Sequence, residues 1–273
     1  MANEAHLLQL KEGVDAWNQW REATPDTLPD LEGANLNQMT LNSINLKGAN
    51  LNGVSLIGTE LDFAILVGAN LINANMNGID LKEADLTQAN LSHANLLGAY
   101  LSGANFTQAN LSYAILQRAD LTGANLTEAS LVKAVLLGTD LNRANLTGAD
   151  LSEADLSRAD LGRAILTRAD FTGAILNEAR LIGAEMSEAD MTNVDLRGAR
   201  LNRADLSDTL LIGAWFSGTT LLGARLNRAI LSGLNLRDTN LSGANLTDAN
   251  LRGANLTEAN LSNATMPDGT VRD

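Results

Sequence analysis

From Leu31 to Met266, every fifth residue is Leu, Phe or Met. The row has 48 positions and 41 of them are Leu, so no inserted loop breaks its phase. This period excludes the common elements. Five steps round an α-helix turn through about 140°, which would spread the leucines over every face. Five steps along a strand put successive leucines on opposite faces. A second row lies two residues ahead of the first. From Ala34 to Ala264 it has 47 positions, 36 of them Ala and the rest small or apolar, such as Met39, Ile44, Val54 and Thr59. In extended chain, residues two apart share a face. Asn or Asp stands between them most often, and two polar, turn-forming residues follow. Each unit therefore reads as a very short strand and a corner, with Ala and Leu pointing inward.

The number of corners per coil follows from a longer period. Thr87, Thr107, Thr127, Thr147 and Thr167 recur at spacing twenty, followed by Ser187, Ser207, Asn227 and Thr247. Four sides of five residues make one coil, and a column of like residues marks one side of a stack. The expectation is an all-β solenoid, a quadrilateral parallel β-helix of about twelve coils of ~20 residues over 31–266, with hydroxyls paired from coil to coil.

A solenoid must cover its end coils. Residues 1–30 lie outside the repeat. Leu7, Leu10, Val14 and Trp17 stand at helical spacing, and "TPDTLPD" breaks the pattern before Leu31. One amphipathic α-helix is expected to cap the first coil. After Met266 only "PDGTVRD" remains, a turn signature and a short tail (267–273) expected to fold back on the last coil.

The repeats "ADLSEADLSRADL" and "GANLTEANL" resemble those of pentapeptide-repeat proteins, over residues 31 to about 266. The resemblance implies a right-handed quadrilateral β-helix. It also implies a binding module, since most members have no assigned biochemical role.

Composition narrows the function further. The 273 residues include no cysteine, only two histidines (His6 and His93), and a net charge of −13. Disulfide and thiolate chemistry are absent, and phosphate-neutralising nucleic-acid binding is not expected. No apolar run is long enough to span a membrane, and no basic leader precedes an apolar core, so a cytoplasmic location is expected. Serines beside acids, as in "DLSEADLS", are products of the repeat, and no base is positioned to activate them. Asp140 and Asp160 stack twenty apart, but two oxygen donors per coil fall short of the six to eight that calcium takes. No catalytic, metal or cofactor residues are assigned.

The anomalies are apolar residues at outward positions. Ile115 and Val135 form one pair a coil apart, and Leu210 and Ile230 another. Around the second pair stand Ile212, Trp215 and Leu222. Clustered exposed apolar residues mark interaction surfaces. The candidate patch is therefore Leu210, Ile212, Trp215, Leu222 and Ile230, for an unidentified protein partner or a second copy of a monomer or homodimer. The alternative function is a DNA mimic occupying a type II topoisomerase (gyrase), which the resemblance makes available. The charge distribution argues against it. Residues 1–139 carry 14 acids and 6 bases, residues 140–208 carry 13 and 8, and residues 209–273 carry 5 of each. The resemblance points the same way: several topoisomerase-binding members carry loops between coils and a C-terminal dimer module, and this array has neither.

Overall fold

The short spacing between Leu and the next Ala forces a turn into every unit, and the turn has one form throughout. The computed structural model describes all 273 residues, Met1–Asp273. In the first unit of the array, the Ala34 N–H donates to the Leu31 carbonyl at 3.0 Å across Glu32 and Gly33. Gly33 has φ +66°, the left-handed conformation that the third residue of a type II turn requires. Every corresponding residue from 33 to 263 shares it, including charged ones such as Arg158 (φ 59°) and Glu178 (φ 58°). An L-residue there costs roughly 1–2 kcal/mol, which the hydrogen bonds between coils must offset.

The Asn or Asp before each Leu caps that turn. Asn90 Oδ1 accepts from the Ser92 N–H at 3.1 Å, and Asp150 Oδ1 from the Ser152 N–H at 2.9 Å. This is the Asx turn, and it accounts for the preference for Asn and Asp. The hydroxyl column meets the expectation in part: the Thr167 and Ser187 hydroxyls pair across adjacent coils at 3.5 Å. Thr107 Oγ1 donates to Asn105 Oδ1 at 2.6 Å and accepts from Asn125 Nδ2 at 2.9 Å. Here the coils are tied by Thr–Asn pairs, because each of these hydroxyls finds its nearest acceptor in its own Asx side chain.

The chain forms two compact units, residues 1–135 and 136–273. In the first, parallel bridges join residues twenty apart on four successive sides: Asn50 to Asn70, Ser55 to Asn75, Glu60 to Asp80 and Ile65 to Asp85. The Leu and Ala rows are buried inside, with Leu46, Leu51, Ala64 and Ala69 fully enclosed. Thr59 takes an Ala position, and its hydroxyl donates to the Leu36 carbonyl at 2.8 Å, so the buried oxygen is satisfied. The second unit repeats the scheme, with Asp160 bridged to Arg180, Ile165 to Glu185, Asp170 to Asp190 and Ile175 to Asp195. The twenty-residue, four-sided turn is thus present in each unit.

The N-terminal segment is two helices where one was expected: α1, Glu4–Lys11, and α2, Val14–Ala23. Gly13, at φ +103°, breaks the continuous helix. Asn3 caps α1, accepting from the Ala5 N–H at 2.9 Å. Helix α2 buries Trp17 and Arg21. The Trp17 indole N–H donates to the Asn45 carbonyl at 2.8 Å. Asn18 accepts from the Asn45 N–H at 2.8 Å and donates to the Ser43 carbonyl at 3.0 Å. Arg21 Nη1 donates to the Thr27 carbonyl and Nη2 to the Lys47 carbonyl. These side chains stand in for the coil that would otherwise precede the first.

The tail folds back as expected. Thr265 and Val271 form an antiparallel bridge, and the Met266 N–H donates to the Thr270 carbonyl at 2.7 Å. No helix of the chain is long and apolar enough to cross a membrane.

Candidate interaction surface

The twenty-residue turn assigns each outward residue of the second unit to a side or a corner. Leu210 and Ile230 are bridged on one side. Trp215 lies on the next side, bridged to Asp195, and Ile212 occupies the corner between them. Trp215 is 57 % exposed and Ile212 49 %, Leu210 is exposed, and Ile230 is half-buried. The turn therefore brings four of the five expected patch residues to one corner. Leu222 is also exposed, but it stands two corners further along the coil, diagonally opposite Ile212. Ten residues are half a turn here, which closeness in sequence conceals. In the first unit, Ile115 and Val135 are bridged as the spacing implied.

Trp215 has a cationic neighbour that residue spacing does not single out. The Arg197 guanidinium carbon is 4.9 Å from the centre of an indole ring of Trp215. Asp195 holds Arg197 in place through two bonds, from Nε at 2.9 Å and Nη2 at 2.7 Å. Those bonds hold the Asp195 carboxyl below its ordinary range and raise the Arg197 guanidinium.

Below Trp215 the ladder of coil-to-coil hydrogen bonds opens. Rungs close on the neighbouring coils of this side: the Trp215 N–H donates to the Val194 carbonyl, and the Leu236 N–H to the Asn255 carbonyl, both at 2.9 Å. Between residues 214–218 and 234–238 the corresponding rungs are missing. The N–H groups of Phe216, Gly218 and Asn235 meet no acceptor in the chain. A cleft of about 300 Å³ results, lined by Arg197, Ala214, Trp215, Phe216, Ser217, Asn235, Arg237 and Asp238. One sequence signal marked this place: Leu234 is the sole Leu in the Ala row.

The two histidines are engaged structurally. His6 Nδ1 accepts from the Asp30 N–H at 3.0 Å, and His93 stacks on Tyr113 with ring centres 4.8 Å apart.

Comparison with known proteins agrees with this architecture. The family model for pentapeptide repeats matches residues 30–62, 64–103, 89–127, 124–163, 164–203, 204–243 and 235–268. No curated protein matches the chain. Among solved structures, the chain is similar to HetL, a pentapeptide repeat protein involved in heterocyst differentiation regulation from the cyanobacterium Nostoc sp. strain PCC 7120. Identity is 31 %, covering 93 % of this chain and 98 % of HetL, with a TM-score of 0.45. It is also similar to QnrB1, a plasmid-mediated fluoroquinolone resistance protein, at 22 % identity over 75 % of this chain and 90 % of that one, TM-score 0.24. A third likeness is to Rfr23 from the cyanobacterium Cyanothece 51142, at 22 % identity over 75 % and 97 %, TM-score 0.12. The family model accounts for nearly the whole array, and the family's fold is a right-handed quadrilateral β-helix. The chain belongs to the pentapeptide-repeat family.

Proposed function

We propose that this chain is a non-catalytic protein-interaction module, and that its partner sits on the corner formed by Leu210, Ile212, Trp215 and Ile230. The observation that carries the reading is the exposed Trp215 indole, gathered with Leu210, Ile212 and Ile230 at one corner. Aromatic residues of this kind anchor interfaces, with arginine as a frequent companion. The Leu and Ala rows fill the interior, so a deep substrate pocket has no room to form there.

The acidic balance invites the DNA-mimic reading, but the second unit weakens it. Several of its carboxylates are met by arginines about one coil away: Asp160 with Arg180 at 3.6 Å, Glu178 with Arg158 at 2.8 Å, Asp208 with Arg228 at 2.6 Å and Glu258 with Arg237 at 2.7 Å. A phosphate surrogate needs unpaired negative charge along its length.

The test is affinity capture with the wild-type chain beside a Leu210→Ser/Trp215→Ser variant. A protein retained by the first and lost by the second is the expected result. Equal retention by both would sink the corner as the docking surface. A topoisomerase subunit held by both would put the mimic first.

A further inference from the structure

We propose that the cleft beside Trp215 docks an extended segment of the partner polypeptide, whose main chain completes the rungs left open between residues 214–218 and 234–238. This rests on the interaction-module reading and names the chemistry of the contact.

The opening is centred on one stretch between two coils, and the Gly213, Asp238 and Asn240 N–H groups at its margins also lack their rungs. On either side of it the rungs close again, from the Leu211 N–H to the Ile230 carbonyl at 3.1 Å and from the Leu221 N–H to the Asn240 carbonyl at 2.8 Å. Leu234 fills a position that is mostly Ala, one coil on from Ala214 and eighteen residues on from Phe216 in the Leu row. Neither substitution alone opens the ladder. Phe106 and Phe171 keep their rungs, at 2.6 Å to the Asn125 carbonyl and 2.7 Å to the Asp190 carbonyl. Bulky Ile79 and Val194 in the Ala row keep theirs, at 2.9 Å each. The opening coincides with Phe216 and Leu234 on adjacent coils, the one place where a Phe in the Leu row and a Leu in the Ala row stand eighteen residues apart.

What the cleft shows is peptide backbone. Phe216 and Leu234 stay buried, at 1 % and 3 % exposure, so the core is not laid bare. One lip offers the N–H groups of Phe216 and Gly218 and the Ala214 carbonyl. The other offers the Asn235 N–H and the Asn235 and Arg237 carbonyls. Donors and acceptors together match another main chain, as in recognition by strand addition. An anion fits poorly, because the carbonyls repel it and both arginines are already committed. Arg197 binds Asp195, and Arg237 binds Glu258 at 3.1 and 2.7 Å. At about 300 Å³ the space suits a few residues of chain. Trp215 at its rim supplies a flat face for one side chain.

The experiment follows backbone amide signals of the full-length chain by NMR. The probe is the capped pentapeptide Ala-Asn-Leu-Thr-Gly, which copies residues 144–148. Its backbone-N-methylated analogue and acetate serve as controls. The expected result is a perturbation centred on Phe216, Gly218 and Asn235 with the peptide alone. Leu234→Ala and Phe216→Leu should each restore rungs, slow exchange of those amides by about tenfold or more, and abolish the response. Should either variant not fold, the wild-type comparison of peptide and analogue still decides. No perturbation, or an equal one with the analogue or with acetate, overturns the proposal. If Leu210→Ser/Trp215→Ser loses the captured partner but Leu234→Ala keeps it, the interaction module stands and strand docking falls.

Discussion

The two ends of the array solve the same problem unequally. At the N-terminal end, Asn18 and Trp17 bond the Asn45 peptide group, Arg21 bonds the Lys47 carbonyl, and the Pro29 carbonyl accepts from the Asn50 N–H at 2.8 Å. Leu31, Leu36 and Leu41 are buried beneath. At the C-terminal end, the returning tail pairs with residues 263–266 and, through the Pro267 carbonyl, with the Asp248 N–H at 3.0 Å. Leu251, Leu256 and Leu261 are half-exposed, and their N–H groups find no acceptor in the chain. Closing a solenoid therefore takes more than apolar cover. The covering segment must also imitate the hydrogen-bonding pattern of a coil, and α2 does so with side chains.

The largest expected effect separates the ends by burial. Leu41→Asp places a charge where no partner exists and should cost more than about 4 kcal/mol. Leu256→Asp can reach water and should cost about 1 kcal/mol or less. Denaturant melts of both variants check this, and equal losses would erase the contrast. Next comes Trp17→Ala, which removes the largest buried side chain of the cap. It should cost about 3–5 kcal/mol by the same measurement. Asn18→Ala leaves the Asn45 N–H and the Ser43 carbonyl without their partner, for about 1–3 kcal/mol. If Asn18→Ala were neutral, imitation of the rung would not matter and apolar cover would suffice. The smallest effect belongs to the tail. Asp268 accepts from the Thr270 hydroxyl at 2.6 Å and from its N–H at 3.0 Å, which holds its carboxyl below the ordinary value. A depressed carboxyl stabilises above its unfolded value of about 3.9 and loses that contribution as pH falls through the folded value. Protection of the Met266 amide, whose N–H closes the tail hairpin, relative to its intrinsic exchange rate should therefore fall below about pH 4, and Asp268→Asn should flatten that fall.

Much of this was legible in advance. The Leu and Ala rows, the four-sided turn, the helical segment before Leu31 and the returning tail all follow from residue spacing, because inward positions tolerate few residue types. The departures have local causes. Gly13 admits a backbone conformation that helical spacing does not register. The left-handed turn residues escaped notice because Arg, Glu and Lys occupy them as well as Gly. Leu222 was grouped with Ile212 by sequence distance, whereas a ten-residue step crosses the coil to the opposite corner. The open ladder lies where Phe216 and Leu234 fall on adjacent coils, a placement visible only once residues twenty apart are stacked.

The self-contained turn in every unit has a consequence for how such a surface can change. Removing residues 200–204 would leave both inward rows in phase, since five is their period. Everything downstream would nevertheless rotate by a quarter of a coil. Trp215 would then stack on Asp190 in place of Asp195, and would part from Arg197, while no interior side chain changed its surroundings in kind. A twenty-residue deletion would instead shorten the array and keep its faces. Length and surface pattern are thus separately adjustable by one kind of genetic event, with the size of the deletion deciding which of them moves.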